Sequence, residues 1–267
     1  MLNKSNMYDW ITGTWNPVGG QCPHVCHYCY VKGFRFPSLK VKYSGSPRLI
    51  KHELKKNLGK DKFWFVGSCI DIFAAAIHQE WIEKILNRAC VYQHVKFLFQ
   101  SKNPYRIWLN RAHLPHKSTI GTTIESNQYH PEMGFTPPVS KRAQYLRKMD
   151  EAGFETCLTI EPIMDFDLIE LASLVNYCNP QWVNIGADSG AHKLPEPPAG
   201  KVRELIAELS KFTEVKIKPN LNRILGRKAK GINERDRFNF KTNSGTCEAD
   251  SEVAGGARER QSAAFRT

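Results

Sequence analysis

Short, continuously apolar stretches alternate with longer amphipathic stretches along most of this 267-residue chain. Each apolar stretch has the length of a strand, and each amphipathic stretch repeats its apolar residues at helical spacing. The predicted strands cover residues 10–15, 63–67, 96–100, 118–122, 156–160, 182–186 and 215–218. Strands that are apolar throughout and separated by helices indicate a parallel sheet with helices packed against it.

The amphipathic stretches predict helices over residues 46–58, 81–90, 104–111, 138–152, 167–177 and 198–209. Ser46-Pro47 is typical of a helix start, and Gly59 of a helix end. Both an open doubly wound sheet and a (β/α) barrel satisfy this alternation. The residues alone leave the choice open.

The alternation ends near residue 225. A short basic run follows, and from residue 242 onwards the residues are mostly small or charged, without apolar periodicity. This composition is typical of disorder. We therefore expect one α/β domain over residues 1–225 and a disordered tail, first basic and then of low complexity, over residues 226–267.

Composition bounds the function classes. Hydrophobic residues make up 41% of the chain, and no run approaches the roughly 18 apolar residues of a membrane span. The first residues lack the apolar core of a signal peptide, so we expect a cytoplasmic protein with no membrane partner. The net charge of +12 favours a polyanionic partner.

Cys22, Cys26 and Cys29 form a CxxxCxxC motif within a single short loop. A disulfide would leave one of the three unpaired, and a cytoplasmic chain keeps its thiols reduced. A structural zinc site would need a fourth ligand, such as His24 or His27. The remaining interpretation is an iron-sulfur cluster with three protein ligands, which leaves one iron of a 4Fe-4S cube open for chemistry.

This motif, with Tyr28 before its last cysteine, resembles the signature of the radical S-adenosylmethionine (SAM) superfamily. Residues 13–18 and 28–30 also resemble an uncharacterised radical-SAM-like family of phage and bacterial proteins, and there is weaker similarity to enzymes of the spore photoproduct lyase type. The closer resemblance extends more weakly to about residue 225, through residues 65–68, 101–104, 159–162 and 184–190.

The resemblance implies a partial (β/α)6 TIM-like barrel, which we adopt although the pattern gives seven strands. It implies that a 4Fe-4S cluster on Cys22, Cys26 and Cys29 binds SAM through its open iron and cleaves it reductively to methionine and a 5'-deoxyadenosyl radical. An electron donor such as flavodoxin or ferredoxin is then also required.

The resemblance also suggests which residues bind SAM. A segment after the second strand would support the amino group, although the usual Gly-Gly-Glu is absent, and polar residues after later strands would hold the ribose. The expected cofactor-binding residues are Tyr30, Gly67, Ser68, Thr123, Glu125 and Glu161. Asp71 and Asp188 are further candidates. An acidic residue in such a position also often caps the next helix.

Cys69 follows the second predicted strand, at the end where active sites of parallel α/β folds collect. The lyase resemblance suggests a catalytic hydrogen donor. The alternative is a small buried side chain, which is common for cysteine.

Basic and aromatic residues interleave over residues 31–43, a pattern that suits phosphate tracking and base stacking. The residues concerned are Lys32, Phe34, Arg35, Phe36, Lys40, Lys42 and Tyr43. The alternative is a solvated cover over the cysteine loop.

The expected function is therefore a radical SAM enzyme, with nucleic acid as the leading substrate for base modification or lesion repair. A peptide or protein is the alternative substrate. The rival from another class is a nucleic-acid-binding module that is stabilised by a metal and has no turnover.

Overall fold

The computed structural model describes residues 7–226. The strands are β1 (Gly13–Trp15), β2 (Val18–Gly19), β3 (Arg48–Leu49), β4 (Phe63–Val66), β5 (Lys96–Gln100), β6 (Ser118–Thr123), β7 (Glu155–Ile160), β8 (Trp182–Ile185) and β9 (Glu214–Ile217). The helices are α1 (Pro37–Lys42), α2 (Gln79–Cys90), α3 (Pro104–Leu109), α4 (Val139–Glu151), α5 (Leu168–Cys178), α6 (Ala199–Leu209) and α7 (Asn222–Leu225). The tail expected over residues 226–267 lies outside the described residues, apart from Gly226.

Seven of the strands form one parallel sheet in the order β1-β4-β5-β6-β7-β8-β9. The order follows the chain without a reversal. A doubly wound sheet reverses its strand order at a switch point, so the order is that of a TIM-like fold. The sheet has one strand more than the six adopted from the resemblance, with β1 and β9 at its two edges.

The two faces of the sheet pack against different parts of the chain. Right-handed crossovers that all run in one direction put their helices on one face. The strand residues in the core on the helix face include Val66, Phe97, Phe99, Ile120, Leu158, Val183 and Ile185. On the opposite face, Tyr8 and Ile11 of the N-terminal segment pack against Phe65, Leu98 and Trp182.

The opposite face becomes polar towards the carboxyl ends of the strands. Gln100 donates a hydrogen bond to Thr123 across 3.1 Å, and Asn184 donates to Thr159 across 3.3 Å. The Tyr8 hydroxyl closes this layer, 2.8 Å from Gln100 and 2.9 Å from Thr159. Beyond this layer lie the polar residues that follow the strands, and with them the candidate site.

One local prediction was wrong. The helix expected over residues 46–58 is replaced by β3, which pairs antiparallel with β2, and by a 3-10 turn at Glu53–Lys55. The pairing of β2 with β3 replaces the helix because Ile50 N–H donates to Pro17 O across 2.7 Å. This hydrogen bond holds the chain extended next to the start of the cysteine loop. The basic and aromatic segment, residues 31–43, overlaps a 3-10 turn at Tyr30–Gly33 and contains α1.

From residue 7 to residue 226, no helix combines the length and the apolar character needed to cross a bilayer.

Candidate functional site

The cysteine loop, residues 20–29, follows β2 and is held by close backbone packing at two glycines. Gly20 has φ +97°, and a Cβ there would lie 2.4 Å from Ser46 O. Gly134 has φ +70°, and a Cβ there would lie 2.3 Å from His24 O. The segment around Gly134 also bonds to the loop, with Phe135 N–H donating to His24 O across 2.8 Å. A side chain at either glycine would displace the loop.

A buried histidine–carboxylate pair anchors the loop to the end of β4. His24 Nε2 lies 2.8 Å from Asp71 Oδ2, and His24 Nδ1 lies 3.2 Å from Phe135 O. Asp71 also accepts hydrogen bonds from the Ser101 hydroxyl at 2.9 Å and the Lys102 N–H at 2.8 Å. Burial acts to raise the pKa of the Asp71 carboxyl, but its hydrogen bond and charge interaction with His24 outweigh burial and lower it. Because both ring nitrogens of His24 already have partners, the arrangement argues against His24 as a zinc ligand.

Each of the three sulfurs of the loop has a hydrogen-bond donor beside it. Backbone N–H groups of Asp71 and His24 reach the Cys22 sulfur, and the Val31 N–H reaches the Cys29 sulfur. The Lys102 ammonium donates to Cys26 Sγ across 3.3 Å. Burial raises the pKa of Cys22 to about 12, and it also raises the pKa of Cys29.

The donor set is three cysteine sulfurs in one loop, and three cysteine ligands suit a 4Fe-4S cluster with one open iron. Over residues 7–226, no group of three or more His, Cys, Asp or Glu side chains is arranged to hold a metal ion. Amide and ammonium hydrogen bonds to the sulfurs are also the contacts by which proteins tune such clusters.

Four of the expected residues come together beside the loop. Tyr30 donates a hydrogen bond to Ser68 O across 2.8 Å, and its hydroxyl lies 3.7 Å from Cys69 Sγ. Gly67 follows β4 directly and has φ +73°. Only glycine fits there without a clash, because a Cβ would lie 2.9 Å from Ile70 O.

Two further residues hold Cys69 in this position. Asn16 accepts the Cys69 N–H across 3.1 Å, and the Tyr43 hydroxyl forms a second contact with the thiol. Cys69 is half-buried.

Glu125 is fully buried in a network of charges behind the cysteine loop. Its Oε1 lies 2.7 Å from Lys102 Nζ and accepts the Tyr28 hydroxyl, and its Oε2 lies 2.7 Å from Arg142 Nη1. Burial acts to raise the pKa of Glu125, but Arg142 and Lys102 outweigh it and lower the pKa to about 2. Thr123, the other residue expected after β6, contributes its carbonyl to Arg142 at 2.8 Å.

Glu161 belongs to a separate polar group farther along the sheet. It pairs with Lys218 at 2.5 Å and accepts a hydrogen bond from Asn220 at 2.9 Å. The Glu161 carboxylate packs against Gly186, where any side chain would clash, because a Cβ there would lie 2.6 Å from Glu161 Oε1. No described contact joins Glu161 to the cysteine loop.

Asp188 reaches the loop indirectly. It holds His192 Nδ1 at 2.7 Å, and the His192 ring lies 5.6 Å from the ring of His27. Its pKa is lowered because hydrogen bonds from Gly190 and His192 outweigh burial.

Half of the basic segment is already engaged within the protein. Lys32 donates to Cys26 O across 2.7 Å, and Lys42 pairs with Glu53 at 2.7 Å. Arg35 and Lys40 are exposed and form no ion pair with a described residue. Of its aromatic residues, Phe34 packs between the rings of Tyr30 and Tyr43, and Phe36 is 70% exposed.

Sequence reasoning missed the residues that connect the site. His24 was considered only as a zinc ligand, and Lys102 lies within residues 101–104, a segment of the resemblance to which no role was assigned. Arg142 was not considered at all. The sequence nevertheless places it on the same face of α4 as the apolar Leu146 and Met149. Because an arginine is almost never buried without a partner, this position could have indicated a buried ion pair.

A cavity of about 540 Å³ opens at the opposite end of the sheet. Lys96, Ser118 and Glu155 at the starts of three strands line it. Because active sites of this kind of fold lie at the carboxyl ends of the strands, we do not assign the function to this cavity.

Solved structures of spore photoproduct lyase resemble the fold. One variant has a TM-score of 0.50 and 14% identity, covering 75% of this chain and 61% of its own. Another, with bound AdoMet and dinucleoside spore photoproduct, has a TM-score of 0.49 and 15% identity, covering 74% and 61%. The chain thus spans about three fifths of the length of these structures, and at such identities the likeness shows the fold alone.

A search of curated protein sequences found no match. A family model described as "Protein of unknown function (DUF5131)" matches residues 5–207, which include the cysteine loop, Cys69, Glu125 and Glu161. The chain therefore belongs to the DUF5131 family.

Proposed function

We propose that this protein is a radical SAM enzyme, in which Cys22, Cys26 and Cys29 hold a 4Fe-4S cluster and the open iron binds SAM. The observation that carries the proposal is the cysteine loop itself. It is locked to the carboxyl end of β4 through His24 and Asp71, and its sulfurs face amide and ammonium donors. Cluster and SAM together would supply a carbon radical that abstracts hydrogen.

The neighbouring residues are proposed to bind and orient SAM. Gly67, Ser68 and Tyr30 lie directly beside the loop and would contact SAM. Both carboxylate oxygens of Glu125 are occupied, so Glu125 would act through Lys102 and Tyr28, with Thr123 as part of the same network. Glu161 would act in the same indirect way, through Lys218 and Asn220.

Cys69 is the proposed hydrogen donor. Its half-buried thiol faces two tyrosine hydroxyls at the carboxyl end of β4. Spore photoproduct lyase, whose fold the chain shares, is by name an enzyme that acts on a photoproduct, and this analogy makes a donor role worth testing. Cys69→Ala should leave SAM cleavage intact and change the product formed from substrate.

Nucleic acid is the proposed substrate. The net charge of +12 favours a polyanion. Arg35, Lys40 and the exposed Phe36 follow the cysteine loop, and Phe135, 81% exposed, hydrogen-bonds to it through its backbone. Cations interleaved with exposed aromatic rings suit an unpaired strand. An electron donor such as flavodoxin or ferredoxin would complete the system.

Anaerobic reconstitution with iron and sulfide tests the proposal. We expect a brown protein that binds SAM and converts it to methionine and 5'-deoxyadenosine. Alanine at Cys22, Cys26 or Cys29 should abolish the colour, whereas Cys90→Ala, at an exposed cysteine in α2, should not. A colourless protein with one zinc ion and no SAM binding would favour the metal-stabilised binding module instead. Cleavage without any binding of nucleic acid would favour a peptide substrate.

A further inference from the structure

The Lys102 ammonium lies where the cysteine loop meets the buried charges around Glu125. Its Nζ is 3.3 Å from Cys26 Sγ, 2.7 Å from the Tyr28 hydroxyl and 2.7 Å from Glu125 Oε1. An ammonium has three N–H donors, so one is available for each neighbour. The side chain is 16% exposed, and the hydrogen bond from its backbone N–H to Asp71 fixes the start of the side chain.

The charges around Lys102 do not balance within the protein. Glu125 is shared between Lys102 and Arg142, and the side chains of Glu125 and Arg142 are 0% and 1% exposed. Lysine side chains carry a positive charge at neutral pH, and the Glu125 carboxylate 2.7 Å away stabilises that charge. Two cations and one carboxylate leave an excess positive charge, which is costly to bury unless an anion lies nearby.

Cys26 is the neighbour that can supply this anion. The Tyr28 hydroxyl keeps its proton in the hydrogen bond that it donates to Glu125, and it is a neutral partner of Lys102. A cysteine that ligates a metal is a thiolate. The excess charge at Lys102 would therefore be matched by the sulfur once a cluster is bound.

We propose that Lys102 sets the reduction potential of the cluster through its contact with Cys26, as a positioning residue that does not touch the reacting atoms. The inference rests on the proposed function. Reduction adds negative charge to the cluster and its thiolates, and a fixed cation 3.3 Å from one sulfur favours the reduced form. Burial keeps this effect from being screened by salt.

The test is a redox titration of the full chain, reconstituted anaerobically without SAM or substrate and followed by electron paramagnetic resonance. Lys102→Gln keeps an N–H donor but loses the charge. It should lower the equilibrium constant for reduction at least tenfold, which corresponds to about 59 mV for one electron. Lys102→Arg keeps the charge and should stay near wild type.

Lys32→Gln is the matched control, because Lys32 also donates to Cys26, but to its backbone carbonyl and from an exposed position. Its potential should stay close to that of wild type. If Lys102→Gln binds normal amounts of iron and sulfide and its reduction potential is unchanged, the proposed role of Lys102 is overturned. The proposed function of the protein is not affected by that result. Loss of the cluster from both Lys102 variants would also overturn it, in favour of a structural role. Wild-type protein that takes up no iron and sulfide would reject this inference together with the proposed function.

Discussion

His24 and Asp71 join the cysteine loop to the sheet through a hydrogen bond of 2.8 Å between Nε2 and Oδ2. The two side chains are 5% and 9% exposed. His24 lies between two of the candidate cluster ligands, and Asp71 follows β4, so the pair fixes the loop relative to Cys69 on the same strand end. The pair therefore holds the loop in place through contacts within the protein itself.

The first prediction concerns Asp71. Asp71→Asn should destabilise the protein without cofactor by about 3 kcal/mol, because it leaves the buried His24 and the Lys102 N–H without their anionic acceptor. The measurement is urea unfolding. Asp165→Asn is the control, since Asp165 pairs with Lys201 at 2.7 Å but is 47% exposed, and its loss should stay below about 1 kcal/mol. Equal losses would contradict the anchoring role of Asp71.

The second prediction concerns Gly134. Gly134→Ala should lower iron uptake during reconstitution, because the added Cβ would press on His24 O and move the loop. Gly45→Ala is the matched control: Gly45 also has φ +70°, but its Cβ would meet nothing within 4 Å. Both variants carry the backbone cost of a left-handed residue, about 1–2 kcal/mol. Equal iron uptake by both variants would show that the close contact between Gly134 and His24 O is not needed for iron binding.

The third prediction concerns acid stability. The pKa of Glu125 is about 2 in the folded protein and 4.5 ordinarily. A depressed pKa contributes stability that is present above the ordinary value and is lost as the pH falls towards the folded value. Between about pH 6 and about pH 3, wild type should lose about 2 kcal/mol more of its unfolding free energy than Glu125→Gln. Urea unfolding at several pH values checks this, and parallel curves would refute it.

The fourth prediction concerns the basic segment. Replacing Arg35 and Lys40 together with alanine should reduce the slope of log K against log salt for single-stranded nucleic acid by about 1.4, or about 0.7 per phosphate contact. Lys42→Ala should change the slope less, because Lys42 is engaged by Glu53. Phe36→Ala should weaken binding by about 1–3 kcal/mol through lost stacking. Binding titrations at several salt concentrations measure all three, and a larger effect at Lys42 would place the interface elsewhere.

The sheet could be predicted from the sequence because each of its strands is a local signal. Residues 96–100, for instance, are apolar between polar ends, and β5 has these bounds. The helix predicted over residues 46–58 failed because its Ile50, Leu54 and Leu58 have helical spacing, while pairing with β2 depends on a segment about thirty residues earlier. Local propensity is a weak prior when a distant strand competes for the same backbone.

In the candidate site, too, the features that are local in sequence could be predicted and the contacts between distant residues could not. The CxxxCxxC motif is local, and Tyr30, Gly67, Ser68 and Cys69 lie beside it as neighbours of predicted elements. The links from Cys26 through Lys102 to Glu125 and Arg142 join residues far apart in the chain. Charge pairing of this kind depends on which strand ends are adjacent, and spacing along the sequence does not contain that information.

The contacts of Tyr8 also bear on how the chain folds during synthesis. Its hydroxyl reaches Thr159, 151 residues later, so Tyr8 cannot be buried in this way before β7 has been synthesised. Trp10 likewise packs against Trp182. Contacts this distant in sequence slow folding, because a long loop must close before they form. Until then, the aromatic N-terminal segment remains an exposed apolar surface that a nascent-chain chaperone would be expected to cover.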